Sequence, residues 1–517
     1  MKTYFKMRNI LLFFWCIISL NTLSSCNNVE RRIFYIDTQN GDDSNNGLSS
    51  GQPFKSLEKA GKIELIAGDW LLLKAGQTFS GTLLLDSLLG NNDKPIVIST
   101  YGKGRAVINA HDSSALKISH SRFITVKNLE CKGSGRLNGN TSNGFDFIDN
   151  TNLIVDSVEA SGFLYSGIRI KGGRNIRVTN VFAHDNGFCG IHVTSDKTGN
   201  DESKDKSIRN VYIGYCVTDN NPGCPVITDN HSGNGILIGG VTSGTIEYCE
   251  SMRNGWDMPR KGNGPVGIWA YQSDSITIQH CYAHHNATSP EGKDGGGFDF
   301  DGGVTNSVMQ YNLSSFNEGP GYGIFQYADA LEWCNNVVRY NISFHDGIKN
   351  GQCGILMWCD PAAIPMKDFY AYNNTVVNKY GYGVNFLPGN YDNFVFENNI
   401  FLVTEPTREF TGGVFTGASF DRNLYWNTYH DQNGIAQPTV RLDANAIVAN
   451  PLLSIPEDDS FESLNPQTIN TISFFKLNAG SPAINTGNKI AGSGRNDYWG
   501  NLIIETDNRN IGAHEEK

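Results

Sequence analysis

The chain has 517 residues, with 41 Lys+Arg against 52 Asp+Glu, a formal net charge of −11, 39% hydrophobic residues and 57 glycines. That is too apolar for a disordered chain, and the glycines lack the every-third period of collagen, so the protein is globular. An acidic balance without a basic block argues against nucleic acid as a partner, because binding it needs Lys and Arg to displace phosphate counterions.

Lys2, Lys6 and Arg8 precede an apolar stretch at residues 10–20, and Leu23-Ser24-Ser25-Cys26 follows. A basic flank, a short apolar core and small residues make a secretory signal over residues 1–25. Its ending resembles a bacterial lipobox, which implies a lipidated Cys26 and an outer-membrane lipoprotein, with this anchor as its one membrane contact. Nine further cysteines remain, from Cys131 to Cys359; an odd number cannot pair completely, and no compact CxxC metal spacing occurs.

Length allows several domains or one long solenoid, and an internal repeat selects the solenoid. Short apolar segments end in Asn180, Cys216, Cys249, Cys281, Asn312, Asn341, Asn374 and Asn399, with Asn128 and Ser157 extending the series backward. A second polar residue follows most of them, as at Asn186, Asn254, Asn286, Asn317 and Asp346. One small or polar residue at the same point of every coil predicts a side-chain ladder satisfying turn amides. A short strand headed by Gly comes next: Gly144, Gly167, Gly190, Gly235, Gly267, Gly297, Gly323, Gly354 and Gly383. Strands recurring about every 30 residues without helical patterning predict an all-β fold, a single-stranded parallel β-helix of about ten rungs.

The run Phe34-Tyr35-Ile36-Asp37, then Gly41-Asp42-Asp43, Gly47 and Pro53-Phe54-Lys55-Ser56-Leu57, resembles the start of secreted right-handed parallel β-helix proteins of the pectate-lyase type. Ser481-Pro482-Ala483-Ile484-Asn485 and Asn510-Ile511-Gly512-Ala513-His514-Glu515 are similar to their tails. The resemblance implies a helical N-terminal cap at about residues 55–63 and a carbohydrate substrate. The expected division is residues 26–110 for the cap and first coils, 111–420 for the β-helix with its groove, and 421–517 for a C-terminal coil folded over the last coil as a cap.

In each Gly-headed strand the residue after Gly points inward and the next outward. The first outward column reads Asp146, Arg169, His192, Leu237, Trp269, Asp299, Phe325, Leu356 and Asn385. The second includes Lys171, Tyr271, Asp301, Tyr327 and Trp358. Trp269, Tyr271, Phe325, Tyr327 and Trp358 form an aromatic platform suited to sugar rings. Asp299 and Asp301 stand within it, their Cα atoms about 6.6 Å apart by strand rise. Two carboxyl groups flanking one bond are what glycosidic hydrolysis needs. Glu318 offers a third carboxylate. His284 and His285 are either orienting groups or ordinary loop residues, and His285 is kept in the substrate-binding set with Arg169, Lys171 and His192, a basic patch for an anionic sugar.

Three readings follow: a glycoside hydrolase, a polysaccharide lyase, and a non-catalytic glycan-binding solenoid. The run from Asp294 to Asp301 faintly resembles the calcium-ligand run of one pectate-lyase family, and a lyase would imply Ca²⁺. Glycines stand where that family's paired aspartates would be, and no metal ligand is assigned. The expected partner is a polysaccharide or oligosaccharide, bound by a monomer.

Overall fold

In the computed structural model, the described residues are 31–195, 207–349, 352–406, 410–413, 416–461, 464–503 and 508–515. The signal segment and Cys26 lie outside them. Three long sheets run side by side, of 14, 12 and 14 strands, and each coil contributes one strand to each sheet in turn. The first begins at Ile33–Ile36, the second at Leu83–Asp86 and the third at Thr78–Ser80. Their strands pair parallel, which makes the body a parallel β-helix. These sheets hold more strands than the ten rungs counted from sequence, because the coils before Gly144 carry no Gly-headed signature.

The helix Leu57–Gly61 is capped by the Ser56 hydroxyl, which accepts from Lys59 N, and buries Leu57 and Ala60 over the first coils. It closes the N-terminal end of the core, where open strand edges would otherwise be exposed.

Two polar ladders stitch the coils together. Asn312, Asn341, Asn374, Asn399 and Asn423 sit at the turn between the first and third sheets; from Asn341 on, each side-chain oxygen accepts from the Asn of the preceding coil, Asn312 Oδ1 accepts from Cys281 N, and Asp443 ends the series. Cys216, Cys249 and Cys281 fill the same slot, their thiols donating to backbone carbonyls of the turn. Asn180, Asn128 and Ser157 do not belong to this ladder. Their φ values of 54°, 59° and 55° place them at the left-handed residue one position earlier, and Val181, Leu129 and Val158 occupy the slot. The second ladder runs Asn186, Asn221, Asn254, Asn286, Asn317 and Asp346. None of the nine described cysteines is in a disulfide.

The C-terminal stretch departs from a simple end cap. Beyond the last short strand, Ile447–Val448, it runs back along the flank of the rod. Asn488 meets Asn398, the Asn510 carbonyl accepts from Asn373, and the Asn496 carbonyl accepts from Tyr311. Phe461, Phe475, Tyr498 and Ile511 bury a second apolar core against the outer face of the third sheet, at Ile342, Phe344 and Ile400. Those strands are buried on both faces, so they do not show the usual inward-outward alternation.

Candidate active site

The candidate site lies on the second sheet, and the loops entering it from the third sheet build a wall above it. In the strand Gly296–Phe300 the side chains of Phe298 and Phe300 fill the core with no exposed surface, and Phe298 stacks on Tyr322 at 5.3 Å. Alternation then sends Asp299 and Asp301 out on one face. Asp299 pairs across the sheet with Trp269 on one side and Gly323 on the other. The Gly-headed register shifts here: the head of the next strand is Gly321, not Gly323. Phe325 therefore pairs with Trp358 in the second outward column, and Gly323 stands beside Asp299.

A cavity of about 590 Å³ opens above this strand, within the range of small-ligand sites. Asp294, Asp299 and Asp301 line it with Trp269, Tyr271, Phe325, Tyr327 and Trp358; His231, Arg260, Lys293 and Gln352 reach in from the loops. Asp299 is 2% exposed, and its Oδ1 has no hydrogen-bond partner among the described residues. Burial, then the neighbouring Asp301 and Asp294 charges, push its carboxyl well above the usual carboxylate range. Burial raises Asp301 to about 7, against a hydrogen bond from Gly302 N to its Oδ1 at 2.7 Å. Asp294 is raised to about 6 by burial, while Gly264 N donates to its Oδ2 at 2.7 Å. The site thus holds three carboxyl groups that lose their protons at different pH.

The aromatic residues are less open than a bare platform. Trp269 is 3% exposed, donates from Nε1 to Asn234 Oδ1 and meets His231 edge-on at 4.8 Å. Phe325 is buried beside Leu356 and Cys353, with Trp358 partly exposed at its edge. Tyr271, Tyr327 and Trp358 keep surface toward the cavity, and the Tyr327 hydroxyl accepts from Gln272.

Five predicted residues lie outside this cavity. Glu318 does not line the cavity: its Oε2 accepts from Thr288 N at 2.9 Å and lies 3.8 Å from Lys349 Nζ, so it ties one loop to the next. His285 sits exposed at a left-handed turn on the third-sheet side, stacked on Phe316. His284, beside it, contacts Glu250 Oε1 at 3.1 Å. Arg169, Lys171 and His192 line a separate hollow on earlier coils. His192 adds no charge there, since burial, then His231 and Arg169, lower its pKa to about 3. Asp294, His231, Arg260 and Lys293 escaped the sequence reading as site residues because they lie on loops without a repeat register. Among the described residues no group of three or more His, Cys, Asp or Glu side chains is disposed to hold a metal ion.

Gly323 leaves the space beside Asp299 open. A Cβ there would lie 2.9 Å from the Phe325 ring and 3.1 Å from Asp299 Oδ1. Gly323→Val is expected to lower turnover on the order of 10²-fold by misplacing the carboxyl and the ligand. A kinetic loss out of proportion to a modest fall in the melting temperature, measured on one preparation, checks it.

A family model described as right handed beta helix region matches residues 207–401. This chain is a right-handed parallel β-helix protein. Over 91% of its length the β-helix chain is 23% identical to a protein named lacto-N-biosidase from Bifidobacterium longum subsp. longum, and it spans 36% of that protein. A crystal structure of a GH136 lacto-N-biosidase from Eubacterium ramulus shares the fold with a TM-score of 0.50 and 18% identity, covering 76% of this chain and 67% of that one. The crystal structure of pectate lyase Pel9A gives a TM-score of 0.46 and 18% identity over 94% of this chain and 97% of that one.

Proposed function

We propose that this β-helix protein is a glycoside hydrolase that cleaves an oligosaccharide or polysaccharide in the Asp299 cavity. The observation that carries the reading is the outward pair on one strand: Asp299, buried and held protonated, two residues from Asp301, which titrates near 7. A protonated carboxyl supplies the proton to the departing glycosidic oxygen as the C–O bond breaks. The ionised Asp301 carboxylate either attacks the anomeric carbon or takes the proton from an attacking water. Asp294 adds a further negative charge facing the developing oxocarbenium ion. Tyr271 and Trp358 offer ring faces to the C–H surface of sugars. The likeness to a protein named lacto-N-biosidase supports hydrolysis as the reaction. The lipobox-like run ending in Cys26 supports action outside the cytoplasm on a lipid tether.

One observation favours the lyase alternative: Arg260 and Lys293 line the same cavity, where a cation could neutralise a uronate carboxylate. A screen of neutral, uronate-rich and sulfated glycans with product analysis decides between them. The expected products are new reducing ends without the ultraviolet band of an unsaturated uronate; appearance of that band would make the enzyme a lyase, and no cleavage of any glycan would leave a binding module.

A further inference from the structure

Four coils before the Asp299 strand, about 19 Å along the same sheet at the usual strand spacing, lies a second hollow of about 530 Å³. Among the described residues Lys117, Arg169 and Lys171 line it with one carboxylate, Asp146. Asp146 is already engaged: Arg169 Nε and Nη2 donate to its two oxygens at 2.7 and 2.9 Å, which fixes the guanidinium plane. Ser166, fully buried in the lining, has a hydroxyl without a hydrogen-bond partner among the described residues. Buried polar atoms are normally paired, so an unpaired hydroxyl in a hollow marks a place for a ligand oxygen.

Apolar surface is present as well. Phe188 and Tyr165 line the hollow partly exposed, with Phe188 leaning on the neutral His192 ring at 5.0 Å. Cations, a buried hydroxyl and ring faces are together the complement of a sugar that carries an acid group. The two hollows also share a wall: Ile227 lines the second, and Asn230 and His231, a few residues on, line the first.

We infer that this hollow is a second glycan subsite, which holds an anionic saccharide unit, carboxylated or sulfated, of the chain whose bond is cleaved at Asp299. The acid unit is held about 19 Å from the Asp299 strand, several sugar units from the cleaved bond. This deepens the hydrolase reading and rests on it for the link between the two hollows; binding at the second hollow needs no turnover.

The test is calorimetric titration of the full chain, in wild type and in the Asp299→Asn variant, with an oligogalacturonide, a sulfated oligosaccharide and a neutral oligosaccharide of equal length. At least one acidic probe is expected to bind and the neutral one not to. Lys117→Ala and Lys171→Ala are each expected to weaken that binding about tenfold, the size of one lost charge-assisted contact, and added salt should weaken it too. A response to the uronate alone or the sulfate alone identifies the acid group. Equal binding of neutral and acidic probes, no acidic binding, or full binding by both lysine variants would overturn the inference. Lys117→Gln and Lys171→Gln, with melting curves, separate lost binding from lost folding. Because binding is read in wild type and Asp299→Asn alike, a chain that binds without hydrolysing fails only the catalytic reading.

Discussion

Asp299→Asn is expected to cut glycan turnover by about 10²–10⁴-fold, the contribution of a positioned general acid, and to leave the folded protein at least as stable as wild type. The substitution keeps the shape of the side chain and removes the proton that the proposed mechanism gives to the leaving group. It sacrifices little bonding, since Asp299 Oδ1 has no partner among the described residues. The stability effect has a definite sign. Burial and the Asp301 and Asp294 charges raise the folded-state pKa of Asp299 above its unfolded value near 3.8. Between those two values the native state holds more protons than the unfolded chain, so stability falls as pH rises from about 4. Asp294, at about 6, and Asp301, at about 7, add to the same slope. Wild type should therefore melt higher at pH 5 than at pH 8, and Asp299→Asn should lose part of that difference.

Catalysis has its own pH signature. kcat/KM should rise through the region of 6 to 7 as Asp294 and Asp301 ionise, then fall when Asp299 gives up its proton. Asp301→Asn should remove the step near 7 together with most of the turnover. Retention of wild-type kcat/KM by Asp299→Asn would move the proton donor to another residue.

Much of this site is legible in the sequence because a strand alternates strictly. Phe298-Asp299-Phe300-Asp301 can place its aromatics inside only by placing both carboxyls outside. Register across coils is less legible where glycines are dense. Gly319, Gly321 and Gly323 offer three candidate heads for one strand, and only the packing of Tyr322 on Phe298 selects Gly321. The ladder slips by one residue for a related reason. Asn suits both the buried slot and the left-handed turn residue before it, so Asn180 and Asn312 look equivalent in sequence and are not. Loops carry no period at all. Nothing local in the sequence turns Asp294 into the cavity or Glu318 toward Thr288 N; their neighbours come from other coils and are set by tertiary packing.

Asn341→Ala is expected to be the most damaging of these changes to stability, at about 3–6 kcal/mol. Asn341 is fully buried, and its Nδ2 donates to Met309 O at 2.8 Å and to Asn374 Oδ1 at 3.1 Å. Its Oδ1 accepts from both the backbone N and the Nδ2 of Asn312, each at 3.0 Å. Truncation leaves the Asn312 backbone N–H, one Asn312 amide hydrogen and the Met309 carbonyl buried without partners. Each such group costs about 1–3 kcal/mol, and water cannot replace them inside the rod. A loss of that size is a large share of the roughly 5–15 kcal/mol that holds a domain together. Asn341→Cys should fall in between. Cys281 shows that a thiol in this slot can donate to the carbonyl two residues back, at 3.2 Å, but it leaves the Asn312 amide without a strong acceptor. Asn335→Ala is the control on the same coil. Its side chain makes an exposed bond to Asn306, and its φ of 57° carries only the modest left-handed penalty of about 1–2 kcal/mol. Urea unfolding of the three variants should rank Asn341→Ala below Asn341→Cys below Asn335→Ala. An Asn341→Ala midpoint equal to that of Asn335→Ala would mean that coil stacking, not the ladder, holds the turns in register.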